Sequence, residues 1–245
     1  MSTSARDEIL ARVRSATADI TTEPRTPATS RSAEGRGSAG GRHQSEVAGT
    51  LDLFAENVAD YRAEVLRVPT AEVGATIAQA LRAAGQQSVV IPTGLDDSWR
   101  EALGEGFRVV PEAEATAAET LDGIDAVVTG SAIGIATTGT IVLDHQADQG
   151  RRELTLVPDC HVCVIRDDQV VHDVPEAVSR LRTPSGHQRA LTWISGPSAT
   201  SDIELQRVEG VHGPRTLIVV IASDVGDVSD VGVGDSHTDA RPTQD

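Results

Sequence analysis

Apolar residues follow two kinds of spacing along the chain, and each predicts a different kind of element. In the first third of the chain they recur every three or four residues, at Leu51, Phe54, Val58, Tyr61 and Val65. This spacing predicts an amphipathic helix. The same pattern predicts a second helix from Thr70 to Gly85, and a short one over residues 4–17. The chain therefore begins with helices that each present one apolar face.

Short, continuous apolar runs come next. They occupy residues 88–91, 107–110 and 125–128, with predicted helices at 97–103 and 115–121 between them. Runs of this length are typical of strands buried on both faces. Strands that alternate with helices favour a mostly parallel sheet. The sequence thus predicts an α/β fold: a mostly parallel sheet with flanking helices.

The pattern changes after Ile133, where apolar residues alternate along an extended segment as far as Leu143. Further strands are predicted at 153–157, 161–166 and 170–172, with few helices between them. We interpret this region as an antiparallel β insertion in the parallel sheet. After the insertion, strands at 190–195 and 216–222 are predicted to belong to the parallel sheet again, with a helix at 174–182 before them.

Composition separates the chain into four segments. Large apolar side chains are almost absent from residues 21–46, and residues after 223 are rich in Asp, Gly and Ser. Such segments are not expected to form a packed core. The predicted organisation is a short N-terminal helix in 1–20, a disordered linker at 21–46, an α/β domain at 47–223 and a disordered acidic tail at 224–245.

Charge excludes several classes of partner. The formal net charge is −16, and such a surface repels nucleic-acid phosphates and anionic lipids. Apolar runs nowhere reach the roughly 20 residues of a membrane-spanning helix. The polar N-terminus is unlike a secretory signal. We therefore expect a cytoplasmic protein with no nucleic-acid partner and no membrane span.

Two residue types limit the possible chemistry. All 21 basic residues are arginine, which excludes a lysine Schiff base and a lysine general base. An anionic ligand would need arginine, backbone amides or hydroxyls. Cys160 and Cys163 cannot supply the four thiolates of an iron–sulfur cluster, and their place in an apolar run predicts buried structural thiols. Histidines lack the spacing of a metal site, so neither a metal nor a cofactor is expected in this chain.

Three turns rich in glycine and hydroxyl residues, at 137–140, 195–204 and 212–215, are the candidate ligand-binding segments. Such residues let backbone amides and hydroxyls approach a ligand closely. The alternatives are a β-bulge in the first turn, a capping box from Ser201 to Glu204 in the second, and a plain surface turn in the third. The candidate ligand-binding residues are Thr138, Gly139, Thr140, Ser195, Gly196, Ser198, Thr200, Glu204, His212 and Arg215.

An ordered set of motifs over residues 47–222 resembles one family. The set comprises Ala59-Asp-Tyr-Arg-Ala63, Gly134-Ile-Ala-Thr-Thr-Gly-Thr-Ile-Val-Leu143, Leu156-Val-Pro-Asp159, the segment from Trp193 to Glu204, and Val208-Glu-Gly-Val-His-Gly-Pro-Arg215. These motifs, in this order, are similar to those of the lactate utilization protein C family, which carries the LUD domain. One position departs from the family pattern, because Thr137 stands where members usually carry an acidic residue.

The resemblance implies both a fold and a role. The fold would be similar to the superfold of sugar-phosphate isomerases, coenzyme A transferases and formyltetrahydrofolate cyclo-ligases. The role would be that of a non-redox subunit that works with iron–sulfur partner proteins to oxidise L-lactate to pyruvate. We expect this subunit to bind a small anionic ligand among the three turns.

Two other functions remain open from the sequence. The chain could be a stand-alone isomerase- or transferase-like enzyme acting on a phosphorylated or coenzyme A-linked substrate. The absence of lysine and of an acidic residue at Thr137 argues against that function, and Glu204 would have to face the ligand rather than cap a helix. The other alternative is a non-catalytic scaffold whose turns are purely structural. The sequence does not decide whether the chain is an enzyme.

Overall fold

A computed structural model describes residues 5–16, 44–104, 106–181, 190–200, 208–209 and 213–223. The chain divides into two compact units, residues 1–41 and 42–245. In the first unit the structure describes a single helix, α1, within the segment that the sequence predicts to be helical. The helices are α1 (Ala5–Ala16), α2 (Gln44–Asp60), α3 (Val73–Ala83), α4 (Asp97–Gly104), α5 (Ala118–Asp122) and α6 (Val174–Leu181). Within these ranges, none of the helices has the length and apolar character needed to cross a membrane.

The second unit is built on a parallel sheet of six strands. All neighbouring strands in it run parallel, as the alternation of buried runs and helices predicts. The order across the sheet is β1-β12-β7-β4-β2-β3. Its strands are β1 (Glu64–Val68), β2 (Ser88–Ile91), β3 (Arg108–Pro111), β4 (Ala126–Thr129), β7 (Cys160–Arg166) and β12 (Thr216–Ala222).

Both faces of this sheet are covered. On one face, side chains of β2, β4, β7 and β12 pack with those of α3 and α4 in a cluster that includes Ile77, Leu81 and Leu103. On the other face, α2 inserts Phe54 and Val58 between the sheet and the strands beyond it. Each of these side chains contributes on the order of 1.5–3 kcal/mol by its burial. The predicted mostly parallel sheet with flanking helices is confirmed.

A second, mixed sheet of four strands forms the predicted β insertion. Its order is β8-β5-β6-β9, with β5 and β6 antiparallel, β6 and β9 antiparallel, and β5 and β8 parallel. Two further short strands, β10 and β11, form an antiparallel pair. The bounds are β5 (Ile133–Ile135), β6 (Thr140–Leu143), β8 (Val170–Val171), β9 (Thr192–Ile194), β10 (Ala199–Thr200) and β11 (Val208–Glu209).

Three sequence predictions about this region are wrong. The predicted strand at 153–157 is largely a 3-10 turn, Arg152–Thr155. The predicted strand at 161–166 corresponds to β7, which lies in the middle of the parallel sheet rather than in the insertion. Its first six residues are all buried, as expected of a strand covered on both faces. The predicted strand at 190–195 is β9, an edge strand of the mixed sheet rather than a strand of the parallel sheet.

The two cysteines lie on opposite faces of β7. Cys160 packs in the cluster with α3 and α4, and Cys163 packs in the cluster with α2, because residues three apart on a strand point in opposite directions. Both thiols are buried and free. Burial raises the pKa of each to about 12. The prediction of buried structural thiols is therefore confirmed.

Candidate functional site

The first candidate turn joins β5 to β6 and is held in place by α2. Residues Ala136–Thr138 form a 3-10 turn that ends at Gly139, whose φ is 55°. Asn57 on α2 donates from Nδ2 to the Ala136 carbonyl oxygen over 2.7 Å. A Cβ on Gly139 would come within 2.6 Å of the Asn57 backbone. Only glycine satisfies both the left-handed conformation and this close approach.

A chain of hydroxyl groups connects the first candidate turn to the second. Thr138 Oγ1 donates to Thr140 Oγ1 over 2.8 Å, and Thr140 Oγ1 lies 2.8 Å from Ser195 Oγ. Thr140 is buried, so its hydroxyl needs these partners. Two of the three predicted segments are thus in direct contact.

The first part of the second turn, residues 195–198, packs against the end of α2 and against the third turn. Gly196 has a φ of 87°, and a Cβ there would lie 2.5 Å from Tyr61 Cβ. The Ser198 amide donates to the Pro214 carbonyl oxygen over 2.8 Å. These contacts bring together the Ala59–Ala63 motif and the second and third turns, which are far apart in the sequence.

A cavity of about 150 Å³ lies beside the second turn, at the amino ends of β7 and β12. His161 and Leu217, each the second residue of its strand, line it. The predicted site residues in its wall are Ser195, Gly196 and Ser198. The full lining is Arg152, Thr155, His161, Thr192, Trp193, Ile194, Ser195, Gly196, Pro197, Ser198, Gly213, Pro214 and Leu217.

Arg152 supplies a positive charge to this cavity. Its Nη1 donates to Thr155 Oγ1 over 3.1 Å. Partial burial lowers the pKa of the guanidinium, and the neighbouring Glu153 opposes that shift; the group stays protonated at neutral pH. No carboxylate of the described residues forms an ion pair with it. The cavity therefore offers a cation to an anionic ligand.

His161 is a pocket residue that the sequence prediction missed. It is buried in β7, and its Nε2 lies 2.8 Å from Thr129 Oγ1. Burial, with a smaller contribution from the Arg152 charge, lowers its pKa to about 4. It is therefore neutral at physiological pH. A histidine within an otherwise apolar run was the signal in the sequence, but nothing in the run indicates that the strand end opens into a cavity.

The other predicted site residues lie elsewhere. Thr138, Gly139 and Thr140 do not line the cavity. Thr140 is connected to it by the hydrogen bond with Ser195, which does line it. Thr200 is in β10, which pairs with β11. Arg215 is exposed, with its Nη1 3.2 Å from Asp159 Oδ2. Glu204 and His212 lie outside the described residues.

Two further features of the site are the surroundings of Thr137 and the grouping of side chains that could bind a metal. Thr137 is exposed, and its amide donates to the His172 carbonyl oxygen over 3.1 Å. Among the residues that the structure describes, no three His, Cys, Asp or Glu side chains are grouped as a metal site. The described part of the cavity thus presents hydroxyls, a neutral imidazole and one guanidinium.

Comparisons with known proteins give a consistent result. The family model of the LUD domain matches residues 51–222. Lactate utilization protein C of Deinococcus radiodurans is 47% identical over 70% of this chain and 78% of that protein. The uncharacterized protein YkgG of Escherichia coli is 31% identical over 57% of this chain and 64% of that protein.

A solved structure has the same fold. The crystal structure of a DUF162 family protein from Deinococcus radiodurans superposes with a TM-score of 0.62 and 39% sequence identity. The match covers 74% of this chain and 99% of that one. At this identity the similarity extends beyond general architecture to the family.

Proposed function

Because the chain belongs to the LUD domain family, we propose that it is the non-redox subunit of a cytoplasmic system that oxidises L-lactate to pyruvate. In this proposal iron–sulfur partner proteins carry the electrons, and this chain binds a small anionic ligand. The name of its relative in Deinococcus radiodurans supports a role in lactate utilisation. The iron–sulfur partners are what the resemblance to the family implies, and the residues of this chain are consistent with that division of labour.

The cysteines support the non-redox part of the proposal. An iron–sulfur cluster needs thiolates that converge on one point. Cys160 and Cys163 point to opposite faces of β7 and pack in separate apolar clusters. Their pKa values of about 12 keep both as thiols. Electron carriers built on cysteine would therefore have to come from partner subunits.

The guanidinium of Arg152 in the small cavity is the observation that carries the ligand proposal. Within the part of the chain that the structure describes, Arg152 forms no ion pair with a carboxylate and lies beside hydroxyls. An arginine in such a place can bind a carboxylate or phosphate by charge-assisted hydrogen bonds. Arg152 is exposed, so solvent screens its charge and these bonds are weaker than those of a buried ion pair. The cavity of about 150 Å³ suits a carboxylate of a few heavy atoms, such as L-lactate or pyruvate, better than a coenzyme A thioester. Its described lining contains no carboxylate that could act as a general base.

Calorimetric titration of the full chain with L-lactate and with pyruvate tests this proposal. We expect saturable binding of at least one of them, weakened at least tenfold by Arg152→Gln. Arg108→Gln is the matched control, because Arg108 lies on the edge strand β3 and donates to the Gly123 carbonyl oxygen. The ligand proposal is wrong if neither compound binds, or if Arg152→Gln binds as tightly as the wild type.

A further inference from the structure

The two ring nitrogens of His161 have different surroundings. Nε2 lies 2.8 Å from Thr129 Oγ1 on β4, whereas Nδ1 has no hydrogen-bond partner among the residues that the structure describes. In that part of the chain, the side-chain polar atom that is both sealed from solvent and unpartnered is Asp144 Oδ1, so Nδ1 is not sealed. Because His161 borders the cavity of about 150 Å³, its Nδ1 is open to that cavity.

A chain of three hydrogen bonds decides which ring nitrogen carries the proton. Thr129 Oγ1 donates to Cys163 Sγ over 3.9 Å, and Cys163 Sγ donates to the Gly130 carbonyl oxygen over 3.7 Å. A carbonyl oxygen can only accept, so the chain has one direction. Since Thr129 gives its own proton to Cys163, its oxygen is left to accept a proton from the ring. All three bonds form together only if the proton of His161 is on Nε2.

The proton on Nε2 leaves Nδ1 as a hydrogen-bond acceptor. A neutral imidazole carries a single proton, so its second nitrogen keeps a lone pair. Burial, with a smaller contribution from the charge of Arg152, lowers the pKa of His161 to about 4, and the ring is therefore neutral near pH 7. Thr129 and Cys163 are fully buried, so water does not replace the bonds that fix this tautomer.

Nδ1 differs from the other side-chain polar groups described in the cavity wall. The guanidinium of Arg152 and the indole of Trp193 can only donate. Four hydroxyls can either donate or accept, and so adapt to whatever the ligand presents: those of Thr155, Thr192, Ser195 and Ser198. Nδ1 can only accept, so a ligand hydroxyl satisfies it, whereas a ligand carbonyl oxygen would bring two lone pairs together.

We propose that His161 selects a 2-hydroxy carboxylate over the corresponding 2-oxo carboxylate, by accepting at Nδ1 a hydrogen bond from the ligand's hydroxyl. The selection rests on the proposed function, because Arg152 has to bind the carboxylate of the same ligand. Arg152 lies close enough to His161 for its charge to act on the ring, and the two ligand groups are on adjacent carbons. Thr129 does not line the cavity; it is a positioning residue that fixes the tautomer.

Calorimetric titration of the full chain at pH 7.5 with L-lactate, pyruvate and propionate tests the selection. We expect L-lactate to bind at least about fivefold more tightly than either of the others, which is within the range of one neutral hydrogen bond. His161→Gln should reduce this ratio below about twofold, because the glutamine amide can donate as well as accept. Thr129→Val should do the same, because it removes the acceptor that keeps the proton on Nε2. Ser131→Ala is the matched control, since it removes another buried hydroxyl that donates to β7 but does not line this cavity.

Nitrogen-15 NMR of the histidine rings gives a readout that a purely structural role would not change. The His161 signals, identified by their loss in His161→Gln, should report a protonated Nε2 and an unprotonated Nδ1. At equal saturation, L-lactate should shift the Nδ1 signal more than propionate does. These wild-type measurements decide the question even if a variant does not fold.

The outcomes separate the selection from the ligand proposal. If neither L-lactate nor pyruvate binds, both are wrong. If the two bind equally, or pyruvate binds more tightly, Arg152 still binds a carboxylate and the selection by His161 alone is wrong. A proton on Nδ1, a preference for L-lactate that survives in both variants, or an equal loss of preference in Ser131→Ala would also overturn it.

Discussion

Acidification should destabilise the fold through His161, which is the most strongly perturbed histidine of the described core. Its pKa is lowered from 6.5 to about 4 because it is fully buried, with Arg152 adding to the shift. Between these two values the unfolded chain binds a proton that the folded chain does not. The stability that neutral His161 provides is therefore present above pH 6.5, and it falls as the pH drops towards 4.

The magnitude follows from the size of the pKa difference. One pKa unit corresponds to about 1.4 kcal/mol, so the His161 contribution to the free energy of unfolding should fall by about 3 kcal/mol between pH 7.5 and pH 4. Other groups also titrate in this range, so the total change in stability does not isolate it. The difference in the free energy of unfolding between the wild type and His161→Gln isolates the His161 contribution, because the two proteins share every other titratable group.

Urea unfolding at a series of pH values, monitored by tryptophan fluorescence, measures this difference. His161→Gln should be less stable than the wild type at pH 7.5, since it disturbs the contact with Thr129. This difference in the free energy of unfolding should shrink progressively as the pH falls below 6.5. His172→Gln is the control, because His172 is exposed. A wild-type to His161→Gln difference that stays constant from pH 7.5 to 4 would refute the reasoning.

Three further predictions concern the turns and strand β7. Gly139→Ala should lower the free energy of unfolding by about 2–4 kcal/mol in denaturant titration, because it combines left-handed strain with a collision against the Asn57 backbone; a loss below 1 kcal/mol would contradict this. Cys160 and Cys163 should react with a thiol reagent only after unfolding, and rapid labelling of the native protein would contradict their burial. Arg215→Ala should change stability by less than about 1 kcal/mol, because its ion pair is exposed; a larger loss in the same titration would refute that reasoning.

The fold was predictable where burial patterns are local. The runs that became β2, β3 and β4 are short, apolar and separated by helical spacing, and this pattern is enough to predict parallel strands covered on both faces. The pattern does not say which sheet a strand joins. β7 and β9 were therefore assigned to the wrong sheets, because that choice depends on long-range pairing with β12 and β6. The sequence predicts that Leu154 belongs to a strand, but in the structure it lies in a 3-10 turn, where its side chain is buried.

The candidate site was predictable only in part, for a related reason. Glycine and hydroxyl residues mark Gly139 and Gly196 as positions of close approach. The partners they approach, Asn57 on α2 and Tyr61 just after its end, are distant in sequence. His161 lines the cavity because β7 pairs with β12 in the sheet. The pairing of two strands distant in sequence cannot be predicted from the residues of either strand alone.

The central claim is that this chain is a required, ligand-binding subunit of a lactate-oxidising system. The most direct measurement combines the purified chain with the proposed iron–sulfur partner proteins and follows L-lactate-dependent reduction of an electron acceptor. The account predicts activity that requires this chain and that falls at least tenfold with Arg152→Gln but not with Arg108→Gln. Full activity of the partners in the absence of the chain would contradict it.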